Sequence, residues 1–85
     1  MSPDALLMIV RKRAAAGEYV LSNEAIERAR VAGHSPGDVR HALAHAVDCL
    51  AEGGGRWTVV GTSLDGTEMR VLVLVAAGGS DVTVV

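Results

Sequence analysis

The chain changes its hydrophobic period partway along. Up to about residue 52 apolar residues recur at helical spacing, and from residue 56 onward they alternate as in strands. Ser2-Pro3-Asp4 reads as a helix start, with Ser as N-cap, Pro at the first helical position and an acid in the first turn. This first helix runs through Leu6-Leu7-Met8-Ile9-Val10 to Ala16 and stops at Gly17. Five apolar residues in a row cannot all face one side of a helix, so part of that surface must meet a second element or a second subunit. Glu18 to Leu21 is extended. Ser22 then caps a second helix from Asn23 to about Ala32, closed by Gly33, with Glu24 and Arg28 spaced for an ion pair. Ser35-Pro36-Gly37-Asp38 has the form of a capping box and opens a third helix expected to reach about Leu50.

Gly53-Gly54-Gly55 breaks the chain. Trp57 to Leu64 and Thr67 to Val75 then flank Asp65-Gly66, a strong hairpin signal. A two-residue turn there sets Leu64 against Thr67, Thr62 against Met69 and Gly61 against Arg70. One face would carry Trp57, Val59, Gly61, Arg70, Leu72 and Leu74. Gly78-Gly79 begins a second turn into Asp81 to Val85. The expected fold is α+β: one domain over residues 1–85, with a helical part over 1–52 packed on a three-stranded antiparallel meander over 56–85. Tyr19 to Leu21 is a candidate addition to the sheet. Both hairpin faces are apolar near Trp57 and Val75, so a homodimer partner or a concave binding surface is expected to cover the face that the helices leave open.

Composition narrows the picture. Hydrophobic residues make up 49% of the 85, with a mean hydropathy of +0.30, which excludes an intrinsically disordered chain. With no Phe, one Trp and one Tyr, the core must be aliphatic and rich in Ala, which favours modest stability. A net charge of −2 and a pI near 5.8 exclude a globally basic nucleic-acid binder and leave room for a local patch. The lone Cys49 forms no internal disulfide. No signal-peptide pattern precedes the first helix, and the longest apolar run, Val71 to Ala77, is too short to span a bilayer, so the expected setting is cytoplasmic, away from membranes.

Three stretches bear a family likeness: Leu21 to Ala29 with Ser22 and Arg28, Gly33 to Leu43 with Ser35, Asp38 and Val39, and the strand pair around Asp65-Gly66. They resemble a bacterial family of small toxin-like domains of unknown function, and more distantly the RelE-like and MqsR-like messenger-RNA interferases. The resemblance implies helices packed on a curved antiparallel sheet whose open face handles RNA, together with an antitoxin-like protein partner. Where that family has a His in its Ser-x-His-Ala motif, this chain has Glu24.

Metal-independent RNA cleavage needs a base for the 2′-hydroxyl, a cation for the developing phosphorane charge and an acid for the leaving oxygen. The candidates in the hairpin are Arg70, with Gly61 opposite leaving space above the sheet, Glu68 two residues earlier on the same face, and Arg56. Trp57 is the candidate for stacking on a base, against a plainer reading as core. Arg11-Lys12-Arg13 is the only basic run, and its plain reading is a solvated helix end. His41, His45 and Cys49 fall at successive i, i+4 steps. Adjacent members of such a series share an ion, and further ligands must come from elsewhere. The apolar stripe Val39, Leu43, Ala46, Val47 and Leu50 places both histidines on the solvent side, so no metal is assigned. Gly53-Gly54-Gly55 lies between helix and strand and lacks a following Lys-Ser/Thr, so it is no phosphate loop, and no cofactor is assigned. Two functions remain: a toxin-like endoribonuclease, active or degenerate, and a non-catalytic homodimerising interaction module.

Overall fold

The computed structural model describes residues 1–85 as an α+β domain with three α-helices and one five-stranded mixed sheet. In chain order the elements are α1 (Pro3–Ala16), β1 (Val20–Leu21), α2 (Asn23–Val31), α3 (Pro36–Ala44), β2 (Asp48–Gly53), β3 (Arg56–Thr62), β4 (Glu68–Val75) and β5 (Val82–Val84), with a 3₁₀ turn at Ala77–Gly79. The sheet order is β1-β5-β4-β3-β2; β1 runs parallel to β5 and the other pairs are antiparallel. Three expectations are corrected here: the sheet has five strands, it is not wholly antiparallel, and β1 interrupts the series of helices. The Tyr19 to Leu21 segment does join the sheet, at its β5 edge.

Each helix starts where its serine stands. The hydroxyls of Ser2, Ser22 and Ser35 accept from the amides of Ala5, Ala25 and Asp38 at 3.2, 3.1 and 3.1 Å. Such caps contribute about 1 kcal/mol apiece. Asp38 completes the capping box by accepting from Ser35 N–H at 2.8 Å. Gly17 closes α1 at φ 72°, a conformation that costs glycine nothing.

The third helix is shorter than the sequence predicts. It ends at Ala44, and Asp48 to Gly53 pairs with β3 as an edge strand, so the helical part does not extend to residue 52. The cause is tertiary. The chain after His45 supplies a partner for the free edge of β3, beginning with the Val47 N–H on the Val60 carbonyl at 2.9 Å. Consequently Val47 and Leu50, assigned to the helix stripe, are exposed, while Val39, Leu43 and Ala46 are buried.

The hairpin register is displaced by one residue. Thr62 pairs with Glu68, Gly61 with Met69 and Val60 with Arg70. The loop has three residues, Leu64-Asp65-Gly66, closed by Ser63 N–H on the Thr67 carbonyl at 2.8 Å. Side chains select it. One Asp65 oxygen accepts from the Ser63 hydroxyl and, at 3.1 Å, from Thr67 N–H, and Gly66 takes φ 88°. A one-residue slip exchanges the faces of one strand relative to its partner. The buried face therefore carries Trp57, Val59 and Gly61 with Met69, Val71, Val73 and Val75, and the helices cover it.

Gly61 marks the closest approach of α3 to the sheet. A Cβ there would stand 2.0 Å from the Ala42 carbonyl oxygen. α1 lies beside α3 and buries Leu6, Leu7, Val10 and Ala14, while Ile9 packs on the 3₁₀ turn at Gly79. Met8 remains 69% exposed. No helix is long and apolar enough to cross a membrane.

Candidate functional site

Strand alternation places Arg56, Thr58, Val60 and Thr62 of β3, with Glu68, Arg70, Leu72 and Leu74 of β4, on the side of the sheet that no helix covers. Arg70 and Glu68 are neighbours there, with Nε and Oε2 3.9 Å apart and both side chains largely exposed. A pair that open to water holds neither partner firmly. Arg56 pairs with Leu74, four residues along β4 from Arg70, which separates their backbones by about 13 Å at a strand rise of roughly 3.3 Å per residue. The three catalytic candidates thus share a face, but Arg56 stands apart from the other two.

Two details of the sequence reading change. Arg70 lies opposite Val60, and the space at Gly61 is on the other side of the sheet, filled by the Ala42 carbonyl. Trp57 points toward the helices and is only 9% exposed, so its ring is core and offers no stacking surface beside Arg70.

The structure adds Arg28 to the candidates, a residue that the sequence spaces for an ion pair with Glu24. β5 pairs with β4 only as far as Val73, after which the Val85 N–H reaches the Leu72 carbonyl at 3.0 Å. Beyond that point α2 flanks β4 and leaves a cleft of about 190 Å³, lined by Ala25, Arg28 and Ala29 of α2, Val39 of α3, Met69, Arg70, Val71 and Leu72 of β4, and Val84 and Val85. Arg28 makes no ion pair. Glu24, its expected partner, does not reach it, and Glu27 bonds Arg30 instead. Val60 spends its carbonyl on β2, so the Val60–Arg70 pair turns its peptide groups away from each other, and the Arg70 backbone faces the cleft. The Arg28 side chain and the backbone edge of Arg70 therefore border a mainly apolar cleft, with the Arg70 side chain beside it on the uncovered face of the sheet. This donor set suits a phosphate or carboxylate attached to an apolar body.

Three other arginines are committed to main-chain carbonyls, while Arg56 has no hydrogen-bond or ion-pair partner. Arg11 Nε donates to the Ala46 carbonyl at 2.6 Å, and Arg13 donates to the Gly79 carbonyl at 3.3 Å, so this run is not simply solvated. Arg40 donates to the Ala14 and Ala15 carbonyls at 2.9 and 2.8 Å, closing the C-terminus of α1. Asp38, besides its capping role, accepts from Leu64 N–H at 3.0 Å, and these backbone bonds hold its carboxyl below the ordinary range. Cys49 contacts the Pro3 carbonyl at 3.4 Å, and burial with nearby Asp48 and Asp4 pushes its thiol up, away from the reactive thiolate.

A signal for Arg28 does exist in the sequence. Ala25, Arg28 and Ala29 fall at i, i+3 and i+4 on α2, where two small residues let the helix approach the sheet beside a long cation. No protein-family model, no curated protein and no solved structure matches the chain.

Proposed function

We propose that this domain binds RNA through the Arg28–Arg70 cleft, as a small toxin-like domain of the RelE and MqsR type whose cleavage chemistry is degenerate. The observation behind this reading is that two arginines from different elements, one without an ion-pair partner and the other only loosely paired, border the same strand edge and apolar cleft. A backbone phosphate would take the guanidinium groups while a base lies against Leu72 and Val85. The resemblance at Ser22, Arg28, Ser35 and Asp38 points the same way.

Binding fits this geometry better than cleavage. The cleft supplies positive charge for a phosphorane, but its lining has no side chain able to move protons, and Glu68 lies outside it beside the Arg70 side chain. Arg56 stands four residues along the sheet from Arg70, outside the cleft. The decisive experiment pairs fluorescence anisotropy on a labelled single-stranded RNA with growth after induced expression. Saturable RNA binding that falls in Arg28→Ala and Arg70→Ala supports the reading. Growth arrest that depends on Arg70 and Glu68 would restore an active endoribonuclease. RNA binding unchanged in both arginine variants would remove the cleft from the account.

The exposed Leu50 and Leu74 and the half-buried Leu72 on the same open face favour a second reading, a homodimerising interaction module or a surface for an antitoxin-like protein. A dimer by sedimentation equilibrium that becomes monomeric in Leu74→Glu would support it, and a wild-type monomer would exclude the homodimer.

A further inference from the structure

We propose that His41 and His45 form a two-imidazole chelating site for a divalent late transition metal of the nickel and copper type. His41 Nδ1 lies 2.8 Å from the Thr62 carbonyl oxygen. A carbonyl only accepts, so Nδ1 carries the proton and the neutral ring keeps its lone pair on Nε2. A hydrogen bond from the second ring nitrogen to a carbonyl is the device that fixes tautomer and orientation in metal-binding histidines. Thr62 has this carbonyl free because β2 begins opposite Val60, which leaves the end of β3 without a strand partner on that side.

His45 follows at i+4 and is solvent-exposed, its ring centroid 4.4 Å from that of His41 with a 37° tilt. With metal–nitrogen bonds of about 2 Å, two imidazoles bound cis at about 90° stand roughly 4.5 Å apart between centroids. The rings thus already have the separation of a cis pair. Tetragonal nitrogen and oxygen coordination is the preference of Ni²⁺ and Cu²⁺. No group of three or more His, Cys, Asp or Glu side chains converges anywhere in the molecule, so water completes the shell and the ion exchanges freely. A bound metal would tie the C-terminal turn of α3 to the end of β3, and a ligand of the folded state alone raises its stability by mass action.

The test is isothermal titration of untagged full-length protein with NiCl₂ just above neutral pH, in a Cys49→Ser background that removes the one thiol. The thermal midpoint with and without nickel is the second readout. The expected result is one nickel per chain, an upward midpoint shift, and at least a roughly 100-fold loss of affinity in His45→Ala as chelation becomes single-ligand binding. His45 is exposed, so its variant keeps the fold, which circular dichroism checks. His41→Ala should match it, and His34→Ala should bind as the parent does. Absence of saturable binding below millimolar nickel, an unchanged His45→Ala, or a loss in His34→Ala would each overturn the assignment.

Discussion

Two groups of arginines put the same side chain to opposite ends. On the helix-covered side Arg11 and Arg40 point at main-chain carbonyls where helices end, Ala46 after α3 and Ala14 and Ala15 at the end of α1. At the open edge of β4, Arg28 and Arg70 have no such carbonyls and line a cleft. The net charge of −2 hides this division, because it counts both kinds of arginine alike. A cation whose donors are used by backbone oxygens is part of the fold, and one whose donors face a cavity is available to a ligand.

The strongest way to break the covered side is Gly61→Ala. The new methyl would meet backbone oxygen 2.0 Å away, which no rotamer change relieves, so α3 must lift from β3. The expected loss is about 3 kcal/mol or more, read as a lower urea midpoint with an unchanged slope. Gly66→Ala at the hairpin tip, where φ is 88° and no atom crowds the position, should cost about 1 kcal/mol. Equal effects at the two glycines would mean that close approach of α3 is not what Gly61 provides.

The arginine comparison is sharpened by Arg40→Ala set beside Arg28→Ala and Arg70→Ala. Losing the bonds to the end of α1 should cost about 1.5 kcal/mol, since water reaches the site and replaces part of what is removed. The cleft variants should leave stability within about 0.5 kcal/mol of the parent. Their effect belongs in RNA binding instead, where the slope of log affinity against log salt should fall by about 1 for each phosphate contact removed. If Arg40→Ala weakened RNA binding as much as Arg28→Ala at equal foldedness, the division between the two sets would fail.

The legible parts of the fold are those fixed by local chemistry. Ser2, Ser22 and Ser35 announce their helices, Gly17 ends one, and Asp65-Gly66 places a turn, because caps and turns depend on a few adjacent residues. The end of α3 and the hairpin register depend on partners distant in sequence. The segment from Ala46 to Leu50 reads as the continuation of the third helix, and only the need of the β3 edge for a partner makes a strand of Asp48–Gly53. The register depends on whether Ser63 closes the loop with Asp65, and that one choice moves Trp57 and Gly61 to the side opposite Arg70. For the same reason Arg70 and Glu68 were visible as neighbours two apart on one strand, whereas the pairing of Arg70 with Arg28 needed the position of α2.

The smallest expected effect tests the loop that joins the two sides. Hydrogen bonds from Ser63 and Thr67 hold the Asp65 carboxyl at about 2, below its ordinary value near 3.8. A carboxyl lowered by folding favours the folded state at pH above its unfolded value, and that contribution fades as pH falls toward the folded one. Wild type should therefore be more stable than Asp65→Asn at neutral pH by a constant margin, which narrows between about pH 4 and about pH 2. The margin is small because Asp65 is exposed. Asp38, also lowered, anchors Leu64 to the start of α3 and titrates in the same direction, so the Asn variant keeps some acid sensitivity. Urea midpoints of the two proteins from pH 7 down to the acid limit of folding give the comparison. A margin that stayed flat through the acid range would show that the loop is held by Gly66 and the Ser63–Thr67 backbone bond without help from the carboxylate.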